Sequence, residues 1–238
     1  MSSPIKDDFY ARWITADGLA LLGAGDPPND NGILFLALFL MLCQKQNLLD
    51  ELDITRSFNA IKSIEVAPGL YCRRPNDTRM EAHDNYVGVC AISVIFSFVF
   101  ARNIAEYGLS HGYNFNNTAP DTFEMRSLHQ GGDVAFYSLS AGYIPAMWDH
   151  LWLCIGLLIA GFKGTPSVVN LAWLRIQAIA LSIEKKGFLP ASHWATVSFF
   201  FVSLVYNIAI RVRFGGIQGS FLRYFRPEHP INLLAKGV

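Results

Sequence analysis

Five long, mainly apolar runs constrain the fold of this chain more than any other feature of its sequence. They cover residues 33–43, 86–101, 151–162, 168–183 and 194–210. A short polar residue precedes each run, and a cationic residue or a glycine follows it, as is typical of helix starts and helix ends. No run shows sustained two-residue alternation, which would favour strands. We therefore predict an all-α protein with about five apolar core helices.

More polar, amphipathic stretches lie between these runs, at residues 9–22, 48–64 and 132–140, and we expect them to pack outside the core helices. Residues 64–72 are the one candidate for a short extended piece, turned by Pro68 and Gly69. Asp30–Asn31 and Asp84–Asn85 lie 54 residues apart and each opens an apolar run. This spacing suggests a repeated helical hairpin. Two ordinary helix caps explain it equally well, and we predict one compact bundle over residues 1–238.

The charge of the chain is divided along its length. The whole chain is neutral, but residues 1–162 hold 17 acidic and 10 basic residues, whereas residues 163–238 hold 2 acidic and 9 basic residues. Such an asymmetric distribution of charge indicates that the chain interacts with another molecule. We expect the basic region to dock on an acidic surface, such as that of another copy. With 52% hydrophobic and 16% charged residues, the composition excludes a disordered chain.

Cysteine usage and run length limit the class of protein further. The four cysteines form neither a CxxC pair nor a cluster with histidines, so we predict reduced thiols, no metal site and no cofactor. The N-terminus lacks the basic and apolar pattern of a signal peptide. A bilayer core asks for about 20 apolar residues. Only residues 194–210 come close, and they include Asn207, so membrane insertion is the less favoured interpretation.

The densest polar segment, residues 73–86, stands directly before an apolar run. Free N–H groups at a helix start favour an anion there, and a histidine beside carboxylates suits acid–base chemistry. The candidate catalytic residues are His83, Asp84 and Asp30, and the candidate binding residues are Arg74, Arg79, Asn85 and Asn31. In the structural alternative, Asp84 caps the helix while the arginines pair with Asp77 and Glu81.

Arginines and aromatic residues alternate in the C-terminal tail. The candidate interface residues are Arg211, Arg213, Arg223, Tyr224, Phe225 and Arg226. Such mixtures are typical of protein interfaces, and the tail lacks the dense cationic stripe that binds nucleic acid. We therefore expect a protein partner and no nucleic acid.

Several short motifs, taken in order, resemble an uncharacterised protein family encoded in tailed-bacteriophage genomes. They are RPxD at residues 74–77, HDNYxG at 83–88, Tyr107–Gly108, GDxAFY at 132–137, Leu174–Arg175 and His229–Pro230. The resemblance spans about residues 31–230. It implies a phage particle assembled in the host bacterial cytoplasm, and it implies no catalytic residues.

Three functions follow as expectations. The first is a structural component of a tailed-phage virion, in the tail, an appendage or the ejection machinery, with other virion proteins and copies of itself as partners. An obligate assembly interface would explain the excess of apolar helix surface. The second is a glycan- or peptidoglycan-acting hydrolase on a helical-hairpin fold, using His83, Asp84 and Asp30. The third is a membrane-active protein.

Overall fold

The computed structural model describes residues 3–27, 29–75, 83–113, 115, 131–186 and 193–237. These ranges form helices and one small antiparallel sheet, so the all-α prediction is confirmed. The helices are α1 Pro4–Arg12, α2 Gly32–Lys45, α3 Glu51–Ile64, α4 His83–Phe96, α5 Val99–Ser110, α6 Gly131–Ala141, α7 Met147–Lys163, α8 Pro166–Lys186, α9 His193–Phe214, α10 Ile217–Tyr224 and α11 Pro230–Ala235. The strands β1 (Glu65–Ala67) and β2 (Leu70–Tyr71) confirm the extended piece predicted at residues 64–72.

Helices α2 and α4 form the centre of the molecule. Every residue from Gly32 to Cys43 is buried, as is every residue from Asn85 to Ile95. A helix that is apolar all round needs neighbours on every side, and α3, α5, α6, α8 and α11 provide them. Gly88 lets the two central helices approach, since a Cβ there would lie 2.9 Å from backbone atoms of Ile33 and Leu34.

The prediction of one continuous helix over residues 86–101 is wrong. The chain forms α4 and α5 instead, and Phe98 between them adopts a left-handed backbone conformation with φ of +63°. The N–H groups of Ser97 and Phe98 both donate to the carbonyl oxygen of Ser93, which closes α4. The run did not reveal the break because Phe96, Phe98 and Val99 around it are apolar although none of them is fully buried.

The prediction that residues 132–140 pack outside the core is also wrong. Residues 135–141 of α6 are buried, and α6 packs against α5, α7 and α8. Ser138 and Ser140 are small enough for a core, and the third hydroxyl side chain of α6, that of Tyr137, is fully buried as well. The carbonyl oxygen of Leu139 accepts a hydrogen bond from Ser182 of α8, so polar groups at this junction satisfy each other.

Helices α7 and α9 lie side by side and run in the same direction. Near their starts, the Nε2 atom of His150 lies 2.7 Å from the Oγ atom of Ser198. At their ends, Arg213 donates to the carbonyl oxygens of Gly161 and Gly164, at 2.8 Å and 2.9 Å. These carbonyls belong to the last turn of α7, where a cation is favoured. Arg213 therefore joins the two helix ends.

Candidate functional site

A polar cluster forms where three helices meet. The Nδ1 atom of His83, at the start of α4, lies 2.9 Å from one carboxylate oxygen of Asp133, in the first turn of α6. The other oxygen of Asp133 accepts a 2.5 Å hydrogen bond from Arg175 in α8. The Asp133 side chain is 8% exposed, so this charge is nearly buried and needs its partners. We call these three residues the polar cluster.

Arg175 places a charge in the middle of the apolar run of residues 168–183. Its guanidinium compensates the buried carboxylate of Asp133 and lies over the ring of Phe136, 5.6 Å from the centroid. Its Nε atom is buried and has no hydrogen-bond partner among the described residues. An interruption of an apolar helix by one arginine thus marks the place where α8 meets the starts of α4 and α6.

A groove opens beside the polar cluster, with a cavity volume of about 730 Å³. Its walls come mainly from α7 and α8, and the polar cluster forms one part of its lining. The other lining residues are Gly132, Trp152, Leu153, Ile155, Gly156, Ile159 and Leu171. A mostly apolar concavity with a few convergent polar groups is typical of ligand-binding pockets.

Asp84 lines a different cavity from its neighbour His83. This second cavity, of about 240 Å³, is also lined by Asn31, Asn170 and Tyr224, and Leu171 is common to both cavities. Burial raises the pKa of the Asp84 carboxyl, and the charge of Asp133 adds to that effect, whereas Arg175 and His83 oppose it. Adjacent residues of one helix turn thus serve two separate surfaces.

The remaining residues of the predicted corner hold the loop before α4. Asp30 pairs with Arg73 at 3.3 Å and with Arg74 at 3.0 Å. The buried amide of Asn85 donates to the backbone oxygen of Arg73. Asp30 is therefore engaged by arginines, while His83 is engaged by Asp133. Arg79 and the partners proposed for the arginines, Asp77 and Glu81, lie outside the described residues.

The C-terminal arginines and aromatic residues have mixed positions. Phe225 is only 2% exposed and packs edge-on against Phe35, so it belongs to the core of the subunit. Tyr224 is half-buried and lines the smaller cavity. The arginines lie at the surface or at helix ends: Arg211 is exposed, Arg213 and Arg223 flank the ring of Phe214, and Arg226 pairs with Asp26.

An exposed apolar face on α7 and α9 is the largest feature that sequence reasoning did not locate. Its members are Leu151, Phe162, Trp194, Val197, Phe200, Phe201, Leu204, Ile208 and Val212, each 43% to 82% exposed. We call these nine residues the α7–α9 face. On α9 they recur every three or four residues, which is one side of a helix. Trp152 and Ile159 form a second exposed row on α7, which lines the groove.

The polar cluster had a partial signal in the sequence. His83, Asp133 and Arg175 all belong to the motifs that carry the phage-family resemblance, but only His83 was predicted as a site residue. Within the described ranges, no group of three or more His, Cys, Asp or Glu side chains is placed to hold a metal ion. Comparison with protein-family models, curated proteins and solved structures gives no match to the chain.

Proposed function

We propose that this protein is a structural, assembly-forming component, and that it assembles by packing its α7–α9 face against a second copy of itself. The observation that carries the proposal is the exposure of nine large apolar side chains on two adjacent, parallel helices. Monomeric proteins seldom leave contiguous apolar patches larger than a few hundred Å² uncovered. Following the resemblance, we place this assembly in a tailed-phage particle.

The size of the face supports a stable interface. Nine side chains that expose roughly 110 Å² each offer about 1,000 Å² of apolar surface. A standard protein interface buries about 800 Å² on each partner. Core positions of such interfaces are rich in Trp and Phe and poor in charge. The α7–α9 face includes one tryptophan, three phenylalanines and no charged residue.

The two ends of the face complement each other. Trp194 lies at the start of α9, and the exposed Arg211 lies near its end. A two-fold axis through the middle of α9 would place the indole of Trp194 in one copy opposite the guanidinium of Arg211 in the other. Arginine over an indole ring is a favourable cation–π pair. Phe201 of one copy would then face Leu204 of the other, on the two sides of the axis, as in an isologous dimer.

A lipid surface is the competing occupant of this face. Helices α8 and α9 are both long and apolar enough to cross a bilayer, although 50% and 44% of their most apolar windows are buried inside the protein. The uncharged part of the α9 face, from Trp194 to Ile208, measures about 21 Å at 1.5 Å per residue. This is shorter than the hydrocarbon core of about 30 Å. The length therefore favours a protein partner.

The test is the oligomeric state of the full chain and of a single variant. Leu204 is 59% exposed, so Leu204→Lys spares the fold while placing a lysine of each copy beside the dimer axis, against the apolar side chain of Phe201 in the other copy. We expect the wild type to be a dimer in light scattering at about 10 µM, and the variant to raise the dissociation constant at least about 100-fold. Leu109→Lys, at a 66% exposed leucine on α5, is the matched control and should leave the dimer intact.

Two results would overturn the proposal. The first is a failure of the dimer test: the wild type stays monomeric, or the Leu204→Lys variant remains as dimeric as the wild type. The other is a monomeric wild type that floats with phosphatidylcholine–phosphatidylglycerol vesicles while Leu204→Lys does not, which would assign the face to lipid. The particle setting has its own test: mass spectrometry of purified virions should detect the chain, and its absence would contradict that part.

A further inference from the structure

We propose that the groove beside α7 is a binding site for a neutral saccharide. Its cavity of about 730 Å³ falls within the range of about 300–1,000 Å³ that is usual for small-molecule pockets. One part of its lining is the polar cluster, and the rest is mainly apolar. The inference goes beyond the assembly role, and it depends on different side chains from those of the α7–α9 face.

The polar cluster offers hydrogen-bond donors and acceptors side by side. The Asp133 carboxylate is an acceptor, the Arg175 guanidinium is a donor, and the ring nitrogens of His83 serve either role. Arg175 carries five N–H donors, and its hydrogen bond among the described residues is the one to Asp133. A hydroxyl both donates and accepts, so neighbouring hydroxyls of a sugar ring match this arrangement.

The charges of the cluster disfavour simple ions. An anion that approached Arg175 would meet the Asp133 carboxylate 2.5 Å from the guanidinium, and the Asp84 carboxyl acts on the same guanidinium. A cation that approached Asp133 would meet Arg175 in the same way. Opposite charges held together leave little net field but retain strong, charge-assisted hydrogen bonds. A neutral, polyhydroxylated ligand gains from those bonds without suffering repulsion.

The groove also provides a flat aromatic surface at its side. Trp152 lines the cavity and is 59% exposed, which is unusual for the largest apolar side chain. A Cβ on the neighbouring lining residue Gly156 would meet no atom within 4 Å, so there is open space beside the helix. The C–H face of a pyranose ring can pack on an indole while its hydroxyl edge reaches polar groups.

A saccharide fits this site better than a peptide does. Peptides are commonly bound along a sheet edge or by a long apolar groove that accepts a helix. The described lining of this groove is helical, and its polar groups are ionisable side chains rather than a row of backbone donors and acceptors. A cavity of about 730 Å³, with the polar cluster in one part of its described lining, suits one or two sugar rings.

The experiment compares the binding of the full-length wild type and of two tryptophan variants to an array of ligands. The array holds neutral oligosaccharides, acidic oligosaccharides and peptides, and it includes chitotetraose and peptidoglycan fragments. Trp152→Ala removes the aromatic wall. Trp148→Ala is the matched control, because Trp148 is 67% exposed one helical turn earlier and is not among the lining residues of the groove. Affinity for a retained saccharide is then measured by isothermal titration.

We expect the wild type to retain at least one neutral saccharide, with affinity at least about tenfold weaker in Trp152→Ala and unchanged in Trp148→Ala. Asp133→Asn should also weaken binding, and Trp152→Ala keeps the test valid if that buried substitution unfolds the chain. Retention of no saccharide, of acidic glycans or peptides alone, or equal binding by Trp152→Ala would overturn the proposal. The Leu204→Lys variant should still bind, which separates this result from the assembly test.

Discussion

His229 is a buried histidine that the fold keeps neutral. Its Nδ1 atom accepts a hydrogen bond from the N–H of Ile231 and so caps α11, while Nε2 lies 3.2 Å from the carbonyl oxygen of Leu21. The ring is 0% exposed. Burial lowers its pKa from 6.5 to about 4. A proton on Nδ1 would also abolish the cap, so the imidazole must stay uncharged in the folded state.

Stability should therefore fall as the pH drops through the window between these two pKa values. The unfolded chain takes up the proton near pH 6.5 and the folded chain only near pH 4, so the folded state loses about 3 kcal/mol by pH 4. Asparagine caps helices without titrating. In urea titrations between pH 7 and pH 4, His229→Asn should lose about 3 kcal/mol less unfolding free energy than the wild type. The exposed His111→Asn control should follow the wild type, and parallel curves for all three would refute the assignment.

The contact between α2 and α4 is a close approach of two helices that depends on the absence of a side chain at Gly88. Both helices are buried over nearly their whole length, and Gly88 lies against the first turn of α2. The nearest atoms to a Cβ on Gly88 belong to the backbone, which cannot turn away as a flexible side chain can. The two helices would have to separate to admit even one methyl group.

Gly88→Ala should consequently lower the free energy of unfolding by about 1–3 kcal/mol, the usual cost of overpacking. Gly156→Ala is the matched helix-glycine control, since its Cβ would enter open space. That change should raise stability by up to about 1 kcal/mol through helix propensity. Thermal and chemical denaturation would measure both. A Gly88→Ala variant as stable as Gly156→Ala would show that the contact between α2 and α4 has room for a methyl group.

At the scale of the whole molecule, the acidic and basic regions of the chain partly neutralise each other within one subunit. Arg175 pairs with Asp133, and Arg226 pairs with Asp26, so residues of the basic region meet residues of the acidic region. Arg213 and Lys185 donate to backbone carbonyls instead of another copy. The basic region therefore has fewer charges available for docking on a second copy than the composition suggests.

The proposed dimer should consequently depend little on salt. Raising sodium chloride from about 0.1 M to about 1 M shortens the Debye length from about 10 Å to about 3 Å, which screens surface charges but leaves apolar contacts intact. We expect the dissociation constant, measured by analytical ultracentrifugation, to change less than about tenfold. Dissociation at high salt would mean that charge, and not the α7–α9 face, drives assembly.

Much of the fold could be predicted from the sequence, because long apolar runs with polar starts have few alternatives to a buried helix. Helices were expected where α2, α7, α8 and α9 occur, and the small hairpin was expected where Gly69 adopts a φ of +86°. The end of α4 at Phe96 and the burial of α6 could not be predicted. The local sequence pattern does not show which other helices pack on a given helix, or where an apolar segment changes direction.

The sequence by itself determined the helical class, the position of most core helices and the reduced state expected of its cysteines, since these depend on local composition and spacing. Tertiary structure alone decided which residues meet. His83 and Asp133 are 50 residues apart, and Asp133 and Arg175 are 42 residues apart, yet they form one cluster. It also decided that one side of α9 stays uncovered, because α9 is largely apolar all round and the packing of α7, α8 and α10 selects the buried side.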